Sequence, residues 1–185
     1  MILRQLEHSE EEVKTILTNN INSDIPSIGT SDGDAGNSFE DFFFGGKRGS
    51  KEPDLLLKDR SEVEFKTIRR TKNLHICRID QNSDKSILDY SFEKMRNACV
   101  VVMREKLKEA YNPLLECVGE DPNYFTKVYN VVEYWWLKDL NPKLFFNRMK
   151  YRGADSDTKW ESTINVNNLI NCYNEIIKLD GTNKI

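Results

Sequence analysis

Six consecutive apolar residues, ACVVVM at 98–103, constrain the fold of this chain more than any other feature. The run is continuous and of strand length, so it reads as a strand buried inside a core. A chain of 185 residues can build one domain with such a core but is too short for two comfortable ones. A single domain over residues 1–185, carrying one site, is therefore expected. Hydrophobic residues at 38%, charged residues at 31% and an aromatic set of nine Phe, seven Tyr and three Trp describe a soluble globular chain rather than a disordered one.

The remaining segments fall around that strand. Residues 1–19 place Ile2, Leu3, Leu6, Val13, Ile16 and Leu17 among charges, the pattern of an amphipathic helix. DIPSIGTSDGDAGNS at 24–38 reads as a loop. A helix SFEDFFF, capped by Asn37 or Ser38 with Asp41 completing a capping box, stops at Gly45 and Gly46 and carries Glu40. DLLL and EVEFKTIR are two strands joined by the turn KDRS, LHICRI is a third strand, and SILDYSFEKMRN is at least partly helical. Beyond a charged connection, DPNYFTKVYNVVEYWWLKDL starts with Asp121 and Pro122 and shows helical spacing through Phe125, Val128, Tyr129, Val132 and Trp136. NPKLFFNRMKY and INVNNLINCYNEIIKL read as two further helices. The expectation is a mixed α/β domain with a helical region over about 121–180.

Several function classes are disfavoured. No apolar run approaches the length needed to cross a bilayer, and MILRQLEHSEEEV has no long apolar stretch before its acidic cluster, so no membrane partner is expected and the location is read as cytoplasmic. Cys77, Cys99, Cys117 and Cys172 form no Cys-x-x-Cys pair and read as reduced core residues; His75 with Cys77 lacks structural-zinc spacing. A formal net charge of −3 argues against coating nucleic acid non-specifically but leaves room for a local basic groove. Lys47, Arg48 and Lys51 on one side of residue 53, and Arg69, Arg70 and Lys72 beyond residue 66, are the candidates for one, against the plainer reading of a solvated face.

The chemistry is concentrated in EPDLLLKDRSEVEFKT, residues 52–67. Alternation along a strand puts Glu64 and Lys66 on one face and Val63, Phe65 and Thr67 on the other. A hairpin beginning at Asp54 brings that carboxylate beside Glu64. Two carboxylates held together with an ammonium alongside suit a hard divalent cation such as Mg²⁺, which takes oxygen ligands and keeps several waters. On these residues alone, a charged surface hairpin and a metal site that cleaves phosphodiesters both stay open.

The flanking segments resemble a known family. GNSFEDFF, then PD, then VEFKT, and downstream SFEKMRNACVVVMRE, follow in order the pattern of the MutH and MvaI group of the PD-(D/E)xK nuclease superfamily, over residues 36–105. The resemblance implies a restriction endonuclease-like core, a central mixed β-sheet flanked by helices, with its catalytic part at about 36–105. It implies Asp54 and Glu64 as metal-binding carboxylates, Lys66 as the catalytic lysine, Glu40 as an additional carboxylate on the helix and Lys94 as a second lysine near the scissile phosphate. Glu40 as a helix-start acid, and Lys94 as a surface lysine, are the structural alternatives. Mg²⁺, with Mn²⁺ able to substitute, is the implied cofactor and double-stranded DNA the implied partner, bound by a monomer or a homodimer. The expected activity is Mg²⁺-dependent DNA hydrolysis, with restriction of foreign DNA as its setting. A nicking repair enzyme and a phage or mobile-element nuclease are the enzymatic alternatives, and a non-catalytic DNA-binding or protein-interaction module is the alternative of another class. The gap between Asp54 and Glu64 is longer than in MutH itself, and no correspondence extends past about residue 106.

Overall fold

The computed structural model describes residues 2–27, 34–46, 53–69, 73–106, 127–145, 149–151 and 158–181. Its elements, in chain order, are α1 (Glu10–Asn19), β1 (Asp24–Ser27), α2 (Asp34–Phe44), β2 (Leu55–Leu56), β3 (Glu62–Ile68), β4 (Asn73–Asp80), α3 (Ile87–Met95), β5 (Ala98–Lys106), β6 (Lys127–Leu140), α4 (Pro142–Phe145), β7 (Met149–Tyr151), β8 (Thr158–Asn165), α5 (Val166–Ile170) and β9 (Tyr173–Leu179).

The apolar run is a strand covered on both faces. Alternation sends Cys99, Val101 and Met103 of β5 into one apolar cluster and Ala98, Val100 and Val102 into another. The first cluster also takes Val13 and Leu17 of α1 and Phe39 and Phe43 of α2; the second takes Ile87 and Met95 of α3 and Leu74, Ile76 and Ile79 of β4. Strand β5 is thus the middle of a layered arrangement. Six strands form the main sheet in the order β1-β6-β5-β3-β2, with β9 also on β6, and a smaller sheet runs β4-β8-β7. Strands β3 and β5 are parallel, with Glu64 opposite Ala98, and every other pairing is antiparallel among the described residues. This is a mixed sheet with helices on its faces, an α/β core of the restriction endonuclease type.

Local signals account for the element ends. Ser9 caps α1 and Glu12 closes a capping box on it, so the helix begins there and residues 2–8 lie outside it, with the Ile2 and Leu3 N–H groups donating to the Phe43 carbonyl at 2.9 Å each. Helix α2 starts earlier than its Asn37 or Ser38 cap signal predicts, at Asp34, and ends at Gly45, whose φ of 74° is the left-handed conformation glycine supplies most cheaply. Residues 24–27, expected in a loop, form β1 because β6 offers them an edge.

The expected helical region at 121–180 is overturned where the structure describes it. Residues 127–140 form the 14-residue strand β6, residues 173–179 form β9, and β7 and β8 lie between; among the described residues of this region, only Pro142–Phe145 and Val166–Ile170 are helical. Strand β6 is buried on both faces, so apolar residues occur at nearly every position and any helical subset can be picked out of them. A bulge opposite Val102 and Met103 of β5 then shifts the parity. Tyr129 and Val131 before it, and Tyr134 and Trp136 after it, enter the same core cluster. Trp135 and Trp136 point to opposite faces, each buried in a different cluster.

Cys77, Cys99 and Cys172 are buried thiols. Cys77 contacts the hydroxyls of Ser91 and Ser162 at 3.4 Å each, whereas His75 is exposed. Among the described residues no helix is long and apolar enough to cross a membrane.

Candidate active site

Strand β3 carries the site because its two faces are unlike. Val63 and Phe65 enter the aromatic packing, with the Phe65 ring centroid 5.5 Å from both Phe39 and Phe44. The opposite face presents Glu64 and Lys66, and Ile68 beyond them closes into the second cluster. Glu64 is only 9% exposed. Its Oε1 lies 3.3 Å from Lys66 Nζ and 3.8 Å from Lys94 Nζ of α3.

Asp54 reaches this place through the backbone. The β2–β3 register pairs Leu55 with Val63 and Leu56 with Glu62, so its next step sets Asp54 opposite Glu64 and the one after it sets Pro53, which has no N–H, opposite Phe65. There the Asp54 side chain takes over: its Oδ2 accepts the Phe65 N–H at 2.7 Å. Gln5 clamps the same short strand, its Nε2 donating to the Asp54 carbonyl at 2.8 Å and its Oε1 accepting the Leu56 N–H at 2.7 Å. On the other edge the Glu64 N–H donates to the Asn97 carbonyl at 2.9 Å, fixing Glu64 against the start of β5. A main-chain N–H thus holds the Asp54 carboxylate, while the sheet fixes the backbone that carries Glu64.

Electrostatically the site works against itself. Burial pushes the Glu64 carboxyl above its ordinary value; Lys66 pulls it back, the Asp54 charge raises it further, and Lys94 lowers it. The upward direction prevails. A buried carboxylate facing a second carboxylate is what a bound cation would relieve. Among the described residues no group of three or more His, Cys, Asp or Glu side chains is placed to hold a metal ion. Mg²⁺ does not require one, since one or two carboxylates, waters and a substrate phosphate complete its shell. The donor set of Asp54 and Glu64 fits it.

Two clefts open beside β3. One, of about 490 Å³, is lined by Glu64 and Lys94 together with residues of α3 and of the turn before β3. The other, of about 550 Å³, lies between α2, β3 and β4 and is lined by Glu40, Lys66 and Arg69 among others. The structure therefore gathers Asp54, Glu64, Lys66 and Lys94, and puts Glu40 on the cleft that Lys66 also lines. Arg69 is engaged, its Nη1 3.9 Å from Glu105 Oε2 and its guanidinium 5.8 Å from the Tyr129 ring centre. Lys47, Arg48, Lys51, Arg70 and Lys72 lie outside the described residues. Gln5 and Asn97 carry no motif that could have announced them; their roles arise from where the sheet brings them.

The architecture is that of a restriction endonuclease-like α/β core. Among solved structures, the restriction endonuclease MvaI in complex with its cognate DNA substrate aligns with this chain at a TM-score of 0.56 and 12% identity, covering 94% of this chain and 100% of that one. At that identity the likeness is one of fold. No family model and no curated protein matches the chain.

Proposed function

We propose that this chain is a Mg²⁺-dependent endonuclease that hydrolyses phosphodiester bonds of double-stranded DNA, acting in restriction. The observation that carries the reading is the cluster at Glu64: a buried carboxylate beside Asp54, with two lysines within 3.8 Å. Restriction is proposed as the setting because the fold is shared with a restriction endonuclease solved on its cognate DNA.

Asp54 and Glu64 would hold the cation, which when bound supplies polarisation of the phosphate and a lowered pKa for water. Lys66 orients the attacking water and offsets charge that develops as the new bond to phosphorus forms and the bond to the leaving sugar oxygen breaks. Lys94 holds the scissile phosphate from the α3 side. Glu40, across from Lys66, is proposed as a further acceptor for water in the site. Fixed main-chain bonds on Asp54 and Glu64 keep this geometry in place before substrate arrives, so little reorganisation accompanies the reaction.

The test is incubation of supercoiled plasmid, including unmethylated DNA, with the protein in Mg²⁺ and in EDTA, alongside Lys66→Ala. Nicking or linearisation that needs Mg²⁺ and Lys66 is the expected result. A protein that binds DNA yet cuts none of it refutes the enzyme reading, and a Lys66→Ala variant as active as wild type refutes the site.

A further inference from the structure

The cleft walled by α3 and the turn before β3 has a feature the nuclease reading does not use. Three exposed cations line it, Arg60, Lys85 and Arg96, and none has a carboxylate within ion-pair distance among the described residues. Lys58, two residues from Arg60, is by contrast paired, 3.2 Å from Glu12. Arg60 also sits at φ 68°, a left-handed conformation that an L side chain enters only at a cost and that Gly or Asn would enter more easily.

Tyr90 orders the other wall. Lys85 Nζ lies 4.3 Å from its ring centre and Lys94 Nζ 5.7 Å, so one aromatic ring holds two ammonium groups, one from before α3 and one from within it. Lys94 in turn is 3.8 Å from Glu64. Positive groups thus stand on both walls of the cleft that Glu64 also lines, with Lys94 linking the α3 wall to Glu64. Glu62 and Glu93 line the cleft too, so its charge is mixed, with the cations outnumbering the carboxylates that line it. Several separated cations in one cleft beside a phosphodiester-cleaving site suit the polyanionic backbone of a DNA strand.

Building on the nuclease reading, we propose that this cleft is the track for the DNA backbone flanking the scissile phosphate. Arg60, Lys85 and Arg96 contact phosphates, and Tyr90 is a positioning residue that sets the spacing of Lys85 and Lys94. These contacts fix the register of the duplex and carry no base information.

The experiment is anisotropy titration of a labelled duplex with Ca²⁺ in place of Mg²⁺, from about 50 to about 200 mM salt, the range over which phosphate contacts register strongly. Each lost phosphate contact removes roughly 0.9 from the slope of log K against log salt, so combined Arg60→Ala, Lys85→Ala and Arg96→Ala should flatten it by about two to three. Replacing Lys58, Lys138 and Lys178 by Ala should leave it unchanged. Tyr90→Phe keeps the ring and should match wild type, while Tyr90→Leu should lose about one contact's worth. If wild type binds no duplex, both the nuclease reading and the track fall. If it binds and cuts in Mg²⁺ but the triple variant keeps the wild-type slope, the track alone falls. A Tyr90→Leu slope equal to wild type removes the role of Tyr90.

Discussion

The two faces of β3 differ in what they contribute. Val63 and Phe65 point into the aromatic cluster under α2 and stabilise the fold, with no reactive group among them. Glu64 and Lys66, one residue out of step, form the other face, where a carboxylate is buried although burial raises its pKa. A strand can hold an unfavourable charge in place because its opposite face is packed and its edges are hydrogen-bonded. The site face is positioned at the expense of the packed one, as expected where electrostatic strain is concentrated at chemistry.

That division can be broken from either side. Lys66→Ala should slow plasmid cleavage by roughly 10²–10⁴-fold, the range for losing a positioned proton-transfer or charge-stabilising group, with little change in the thermal melt. Phe65→Ala should do the reverse. Removing a buried ring from between Phe39 and Phe44 costs about 3–5 kcal/mol in urea unfolding. The Phe65 N–H that holds Asp54 belongs to the backbone and survives the substitution. The fraction that stays folded at low temperature should therefore cleave at close to the wild-type rate. A folded Phe65→Ala protein without activity would mean the two faces are not separable.

The same contrast explains how much of the molecule its sequence disclosed. Strands β3 and β5, the β2–β3 hairpin and α3 were legible because each is short, singly patterned and bounded by a turn or a cap, such as Ser86 before α3. The grouping of Asp54, Glu64 and Lys66 followed from alternation plus a hairpin, and the distances agree with it. Strand β6 was illegible for a physical reason. Burial on both faces erased its period of two, and the bulge near Val132 broke what remained, so the residues of a central strand mimicked a helix. Gln5 was equally hidden, since its partners lie about fifty positions away and nothing near it marks a clamp. The cations of the α3 cleft leave no mark in the sequence, because Arg60, Lys85 and Arg96 are dispersed along the chain and meet only in the fold.

Divalent cation should act on the charged face alone. Mg²⁺ at a hundred times its Kd should stabilise wild type by about 2.7 kcal/mol, the value for a ligand that binds only the folded state, and should do little for Glu64→Gln. Thermal melts with and without EDTA measure this, and equal stabilisation of both proteins would place the cation elsewhere.

The smallest effect is the most pointed. In EDTA, the Glu64 carboxyl of the folded chain titrates above its ordinary value of 4.5, so between the two values the folded state holds more protons than the unfolded one. Stability should therefore fall as pH rises through that window, opposite to the usual behaviour of a salt-bridged carboxylate. Glu64→Gln has no such proton to lose. Its melting temperature should lack this decline and lie modestly above that of wild type at neutral pH, while wild type and variant converge in acid. Mg²⁺ affinity should show the inverse dependence, weakening as pH falls through the raised pKa, because only the ionised carboxylate is a ligand. Were Glu64→Gln the less stable protein at neutral pH without metal, Lys66 and Lys94 would be compensating the buried charge in full. The face that carries the chemistry would then be stabilising in its own right.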